Sequence, residues 1–250
     1  MKTRIIAKLD VKPPHVVKPI HFEGLKKIGS PIELAKTYYK QEADELFYID
    51  IVASLYQREI LFDAIESVAN QLYIPFSAGG GVRKIEDFSR LIHMGADKVV
   101  INTFALQEDP NLIDKAAKIF GSQALVINIE AKKFQNKSIC YSDCGRISSE
   151  LEVVEWAKEV ESRGAGEILL QSVDHDGKQQ GFDLELANQV VSAINIPVVV
   201  GSGAGSLKDI KSLIENVRPS GVAIASLLHY QKISIQDIKE YLAINQVGGY

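Results

Sequence analysis

Eight short apolar runs punctuate the chain, and helix-period sequence separates nearly all of them. The runs are Arg4–Asp10, Leu46–Ile51, Phe76–Ala78, Lys98–Asn102, Ala124–Glu130, Glu167–Ser172, Val198–Gly201 and Gly221–Ala225. Their apolar character is nearly continuous rather than alternating, the pattern of parallel strands buried on both faces. Between them, apolar residues recur at three- and four-residue spacing in ELAKTYYKQ, ILFDAIESVANQL, KIEDFSRLIHMG, DPNLIDKAAKIFG, LEVVEWAKEVESRG, LELANQVVSAI and LKDIKSLIENV. That spacing predicts amphipathic helices. Ser30-Pro31 supplies an N-cap and a first-turn proline, and Gly95, Gly121 and Gly164 suit left-handed C-caps. Eight β/α units in 250 residues predict an α/β chain folded as a single (β/α)8 TIM barrel. An open doubly wound sheet is the alternative.

The chain also repeats itself at half its length. Asp10 in KLDVK recurs as Glu130 in NIEAK, 120 residues on. Glu45 before YID recurs as Glu167, and Ile74-Pro75 as Ile196-Pro197, each 122 residues on. Thr103 in VVINT recurs as Ser226 in AIAS, 123 residues on. One domain over 1–250, made of half-barrels at about 1–122 and 123–245, is therefore expected. A symmetric ring of two four-unit halves favours the closed barrel. The final QVGGY is expected to fray.

Composition narrows the partners. A net charge of -4 gives no electrostatic case for nucleic acid or an anionic membrane. No apolar run approaches the length of a membrane span, and the N-terminus does not read as a signal peptide. A cytoplasmic protein is expected. The two cysteines, Cys140 and Cys144, are expected to be free thiols there, and neither a metal nor a redox cofactor is indicated.

The repeated segments carry the candidate chemistry. Gly79-Gly80-Gly81 and Gly203-Ala204-Gly205 each follow a strand and precede a helix, where backbone N–H groups can approach an anion. Asn102-Thr103 and Ala225-Ser226 end the next strand in each half and would complete two phosphate cups. Asp10 and Glu130 end strands on opposite sides of an eight-strand ring, at the face where barrel enzymes work. An opposed acid and base would serve proton transfers in a substrate held at both ends. Asp50, Asp174, Asp176 and Gly177 lie at or beyond strand ends, where a plain turn or structural role competes. Arg4, Glu45, Lys98 and Glu167 begin strands at the opposite rim, where a charged ring would close the barrel or simply stabilise it.

These motifs resemble those of the HisF family, the cyclase subunit of imidazole glycerol phosphate synthase. The likeness runs from TRIIAKLDVK to IKEYL and includes VVK, SPIEL, ADELFYID, GGGV, GADKVVINT, FGSQALV, RGAGEILLQSVDHDG and GSGAG. The resemblance implies an ammonia-dependent lyase of histidine biosynthesis. Such an enzyme forms imidazole glycerol phosphate and AICAR from a phosphoribulosyl (PRFAR-type) bis-phosphate. A HisH-like glutaminase subunit at the N-terminal barrel face would supply ammonia through the barrel. The resemblance makes Asp10 and Glu130 the catalytic carboxylates and Lys18 the lysine of a mobile first loop. It puts Gly81, Asn102, Thr103, Gly203, Ala225 and Ser226 at the phosphates. Arg4, Glu45, Lys98 and Glu167 become an ammonia gate, and Asp97 a glutaminase contact.

Three departures from the family pattern stand out. Glu130 replaces an aspartate and is one methylene longer. The first loop, KPPHVVKPIHF, carries Pro13, Pro14 and Pro19. The turn YSDCGRISSE lacks the usual threonine-glycine. These suit a paralogue that uses ammonia for an acetamidino group on a surface-polysaccharide (lipopolysaccharide) sugar. A HisA-like sugar-phosphate isomerase and a non-catalytic allosteric barrel are further alternatives.

Overall fold

The computed structural model describes residues 2–20 and 23–250. The first-loop residues His21 and Phe22 lie outside the described residues. The strands in chain order are β1 (Arg4–Lys12), β2 (His15–Ile20), β3 (Glu23–Gly29), β4 (Glu45–Asp50), β5 (Phe76–Gly79) and β6 (Lys98–Ile101). They continue as β7 (Leu125–Phe134), β8 (Lys137–Ser142), β9 (Ile147–Glu152), β10 (Glu167–Ser172), β11 (Val198–Gly201) and β12 (Gly221–Ile224). The parallel order β1-β4-β5-β6-β7-β10-β11-β12 closes on itself through the β12–β1 pairing. The eight apolar runs are therefore the barrel strands, each within a few residues of its expected bounds.

The helices are α1 (Pro31–Lys40), α2 (Phe62–Ala69), α3 (Ile85–His93), α4 (Thr103–Gln107), α5 (Asn111–Phe120), α6 (Val153–Ser162), α7 (Leu184–Ala193), α8 (Leu207–Val217), α9 (Ser226–His229) and α10 (Ile235–Ile244). Their apolar stripes bury residues such as Tyr38, Phe88, Leu91, Trp156 and Leu213 against the outward side chains of the strands, including Ile5, Ala7 and Leu9. A smaller core of Ile6, Phe47, Ile49, Val100, Val126, Leu169, Val199 and Ala223 fills the barrel interior. The two cores follow from strand geometry, since successive residues of one strand point to opposite faces.

Four strands were not legible in the hydrophobic pattern. β1 runs past the barrel and pairs antiparallel with β2, which pairs with β3. β7 likewise pairs with β8, and β8 with β9. Thus the first loop is in part a β-ribbon, and the segment around Cys140 is another. Both grow from the first strand of a half, just past Asp10 and Glu130. They escaped the pattern because ribbon strands need no apolar alternation where water covers them: β9 has no buried residue.

Two smaller expectations are corrected. The C-terminal segment is tied down: Thr3 N–H donates to Gly248 O at 2.9 Å, and the Tyr250 hydroxyl donates to Thr3 O at 2.9 Å. Val247 is buried beneath it. Gly121 ends α5 at φ +84°, ψ 150°, an extended glycine conformation rather than a left-handed cap, and leads directly into the turn before β7.

Candidate active site

Interior residues of the barrel stack in layers because every second strand residue points inward. In β1 these are Arg4, Ile6, Lys8 and Asp10, running from the N-terminal rim to the C-terminal rim. β7 contributes Val126, Asn128 and Glu130, and β10 contributes Glu167, Leu169 and Gln171. A charged rim, an apolar layer and a polar site therefore follow one another along the axis.

At the C-terminal end Asp10 is fully buried. Lys8 Nζ bonds its Oδ1, and Lys18 Nζ lies 3.6 Å from its Oδ2. Burial works against ionisation, but the two lysines outweigh it and hold the carboxyl below the usual range. Lys18 also donates to Asp176 at 2.9 and 3.2 Å. Its own burial favours the neutral amine, yet Asp176 and Asp10 together raise its pKa. Lys18 sits on ribbon strand β2 and is 3% exposed, so in this structure it packs into the site as an ion-paired bridge. The Ser202 hydroxyl donates to Asp176 Oδ1 at 3.3 Å.

Glu130 sits across the ring, four strands from Asp10 in either direction. Its Oε2 accepts the Gly145 N–H at 2.7 Å, and Asn128 Nδ2 approaches Oε1 at 3.5 Å. Burial pushes its pKa up to about 7, and the Gly145 bond and the Lys8 charge only partly offset that. Two carboxyls of similar chemistry thus hold different protonation at neutral pH. Asp10 is held as an anion, and Glu130 holds its proton far more readily than an ordinary carboxyl. Environments that separate two pKa values in this way divide the roles of base and acid.

Two cavities open on either side of this pair. The first, about 50 Å³, is lined by residues including Gly80, Gly81, Asn102, Thr103, Glu130 and Asp143. The second, about 20 Å³, includes Lys18, Asp176, Gly177, Gly203, Ala225 and Ser226. Lys8 and Gln171 line both and join them across the axis. The halves match in backbone as well. Gly80 and Gly203 have φ +105° and +111°, and a Cβ at either would lie 2.2 Å from a backbone oxygen, that of Asp50 or of Gly181. Asn102 and Ala225 share an unusual conformation, φ -139°, ψ -91° and φ -127°, ψ -72°, just before α4 and α9. These glycines are therefore required by close backbone packing, whatever they bind.

Of the other candidates, Asp174 and Gly205 stand apart from the two cavities, whereas Asp50 lines the first. Asp174 accepts the Lys133 N–H at 2.7 Å and braces the second ribbon. The Gly205 N–H donates to Asp209 Oδ2 at 3.1 Å, a local turn contact. Asp50 pairs with Arg58 and accepts the Val52 N–H at 3.2 Å. Lys8, Asn128, Gln171 and Asp143 were missed from sequence. For the first three a signal existed: each is a lone polar residue inside an apolar run, and Lys8 and Asn128 stand two positions before a candidate carboxylate. Cys140 and Cys144 are free thiols, and burial pushes the Cys140 thiol up to about 12. Among the described residues no cluster of His, Cys, Asp and Glu could hold a metal ion. Nor is any described helix long and apolar enough to cross a membrane.

At the N-terminal rim the four charged residues close into a ring. Arg4 bonds both Glu45 and Glu167. Lys98 Nζ reaches Glu45 at 3.0 and 3.2 Å and Glu167 at 2.8 Å. Ser77 Oγ donates to Glu45 at 2.7 Å. Burial opposes the Arg4 charge, but Glu167 and Glu45 outweigh it and raise its pKa. The apolar layer of Ile6, Phe47, Val100, Val126, Leu169 and Val199 separates this ring from the carboxyl pair. Asp97 is exposed on the same rim, and its Oδ2 accepts the Phe76 N–H at 2.8 Å. Beside it Tyr73, 87% exposed, lines a surface hollow with Leu72, Ile74 and Pro75.

The sequence compares closely with known proteins. A family model described as "Histidine biosynthesis protein" matches residues 4–234. "Imidazole glycerol phosphate synthase subunit HisF" of Campylobacter concisus is 48% identical over 98% of this chain and 96% of that protein. The protein of the same name from Lactococcus lactis subsp. cremoris (strain MG1363) is 46% identical over 98% and 95%. That from Thermococcus onnurineus is 44% identical over 96% and 94%. Closed barrel, opposed carboxyls, paired cavities and full-length similarity lead to one assignment: the chain belongs to the histidine biosynthesis protein family.

Proposed function

We propose that this chain is an enzyme of the HisF type, the ammonia-using cyclase subunit of imidazole glycerol phosphate synthase in histidine biosynthesis. The observation that carries the reading is the opposed pair of Asp10, bonded by Lys8 and approached by Lys18, and Glu130, whose pKa burial pushes up to about 7, beside two cavities joined by Lys8 and Gln171. A substrate lying across the barrel mouth would have an end in each cavity and its reacting centre between the carboxyls. In this reading Asp10 accepts a proton as ammonia attacks, and Glu130 donates one as the substrate is cleaved and the ring closes. Thr103 and Ser226, with Asn102, Gly80, Gly81, Gly177, Gly203 and Ala225, hold the phosphate ends. The products are imidazole glycerol phosphate and AICAR.

Ammonia arrives from a HisH-like glutaminase subunit docked on the N-terminal rim in the cytoplasm. The complete ring of Arg4, Glu45, Lys98 and Glu167 supports a gate there, and the apolar layer above it suits passage of a small neutral molecule. Exposed Tyr73 and Asp97 belong to the docking face. The backbone match between Gly80 and Gly203, and between Asn102 and Ala225, supports one domain over 1–250 built of half-barrels at about 1–122 and 123–245.

A second reading is a paralogue that directs ammonia to an acetamidino group on a surface sugar. It is favoured by Asp143, a carboxylate that lines the first cavity from the turn YSDCGRISSE, which lacks the family's usual threonine-glycine. The HisA-like alternative has no use for a complete charged gate.

An ultraviolet assay with the ribulosyl bis-phosphate and an ammonium salt at alkaline pH tests the proposal. Ammonia-dependent consumption, lost in Asp10→Asn, is expected. Folded protein that consumes nothing under these conditions would refute the histidine-pathway reading.

A further inference from the structure

We propose that Lys8 is a further catalytic residue, the acid that protonates the carbonyl oxygen of the substrate as ammonia adds to the carbonyl carbon. The inference rests on the ammonia-using reading and supplies a proton donor for a step to which that reading gives only a base. Its basis is that Lys8, and not Asp10, faces both cavities.

Asp10 is fully buried and lines neither cavity, whereas Lys8, bonded to its Oδ1, lines both. An ammonium has three N–H donors. Among the described residues the Lys8 amine spends one of them, on Asp10. The others are left for a ligand at the junction of the cavities, where the reacting centre of a two-ended substrate would lie. Lys18 is no substitute: its amine bonds both oxygens of Asp176 at 2.9 and 3.2 Å, and of the two cavities it lines the second alone. Asp10 Oδ2 has no hydrogen-bond partner among the described residues, which leaves it to accept a proton. Ile6, two positions before Lys8 on β1, belongs to the apolar layer, so ammonia rising along the axis meets Lys8 and Asp10 as it leaves that layer.

The nitrogen of ammonia bonds the carbonyl carbon, the π pair moves to the oxygen, and that oxygen takes a proton from Lys8. The added nitrogen gives its surplus proton to Asp10. A carboxylic acid is a stronger acid than an ammonium, so Asp10 returns the proton to the neighbouring Lys8 amine. The pair recovers its starting charges, the product is a neutral hydroxy-amine at that carbon, and Glu130 keeps its proton for the later cleavage.

The test is steady-state consumption of the ribulosyl bis-phosphate by the full-length chain at saturating ammonium salt and alkaline pH. Wild type is compared with Lys8→Met and Lys8→Arg. Methionine removes the charge. Arginine keeps a cation beside Asp10 but holds its proton too tightly to give it, and it guards against a Lys8→Met protein that fails to fold. Both variants are expected to lose at least about a hundredfold in kcat, the contribution of a general acid, with KM within about threefold of wild type. Lys8→Arg with the kcat of wild type would mean that Lys8 only neutralises Asp10, and would overturn the inference while the ammonia-using reading stands. A loss confined to KM would do the same. Wild-type protein that consumes nothing would remove that reading, and the inference with it.

Discussion

Glu130→Gln should stabilise the protein above neutral pH while abolishing its turnover. The carboxyl titrates at an ordinary 4.5 when unfolded and at about 7 when folded. The folded state therefore binds more protons between these values, and the contribution of Glu130 to stability falls as pH rises through that window. Working the linkage through, the cost is about 1 kcal/mol at pH 5, about 2 at pH 6 and about 3 at pH 8. Glutamine carries no such charge. Its amide oxygen can keep the Gly145 bond, and its NH2 group can face the cavity. Urea unfolding of both proteins from pH 5 to pH 8 measures the difference, in which titrating groups not coupled to Glu130 cancel. The Glu130→Gln protein should gain about 2 kcal/mol on wild type across that range, with no ammonia-dependent activity at either end. Parallel pH profiles would mean that Glu130 titrates normally, and the division of acid and base roles would fall.

Lys98→Met leaves Glu45 and Glu167 sharing only Arg4, and should cost about 3 kcal/mol in the same unfolding assay. It should also lower glutamine-driven turnover more than ammonium-driven turnover in the complex, and an equal loss in both would argue against a gate. Lys18→Met removes the ion pairs that tie the first ribbon to Asp176 and Asp10. Amide exchange in β2 and β3 should accelerate at least about tenfold with the barrel strands unchanged, since local opening reports the free energy of the ribbon alone. Unchanged exchange would show that Lys18 does not hold the ribbon closed.

The barrel was legible because strand and helix periods are local properties. A run such as EILLQS or VVVG needs no distant neighbour to be read as a buried parallel strand, and eight of them at this length leave few closed arrangements. The half-repeat was legible for the same reason, as a comparison of one segment with another. Arg4, Glu45, Lys98 and Glu167 could be assigned to one rim because each begins a strand. The ribbons could not be read, since their stability comes from backbone pairing with β1 and β7 beyond the barrel rather than from an apolar stripe.

Sequence alone determined the eight units, their order, and the presence of one carboxyl at the end of the first strand in each half. Only the tertiary structure decided that these carboxyls differ. Asp10 is an anion because Lys8, two residues away, and Lys18, returned by the ribbon, converge on it. Glu130 has its pKa pushed up to about 7 because burial outweighs the Gly145 N–H, the Lys8 charge and the Asn102 amide together. Asp143 meets Thr103 across forty positions of chain, and Lys18 meets Asp176 across 158. Periodicity is carried by neighbours along the chain. Ionisation and ligand preference are sums over neighbours through space, weighted by distance and by the exclusion of water, and the folded chain alone assembles that sum.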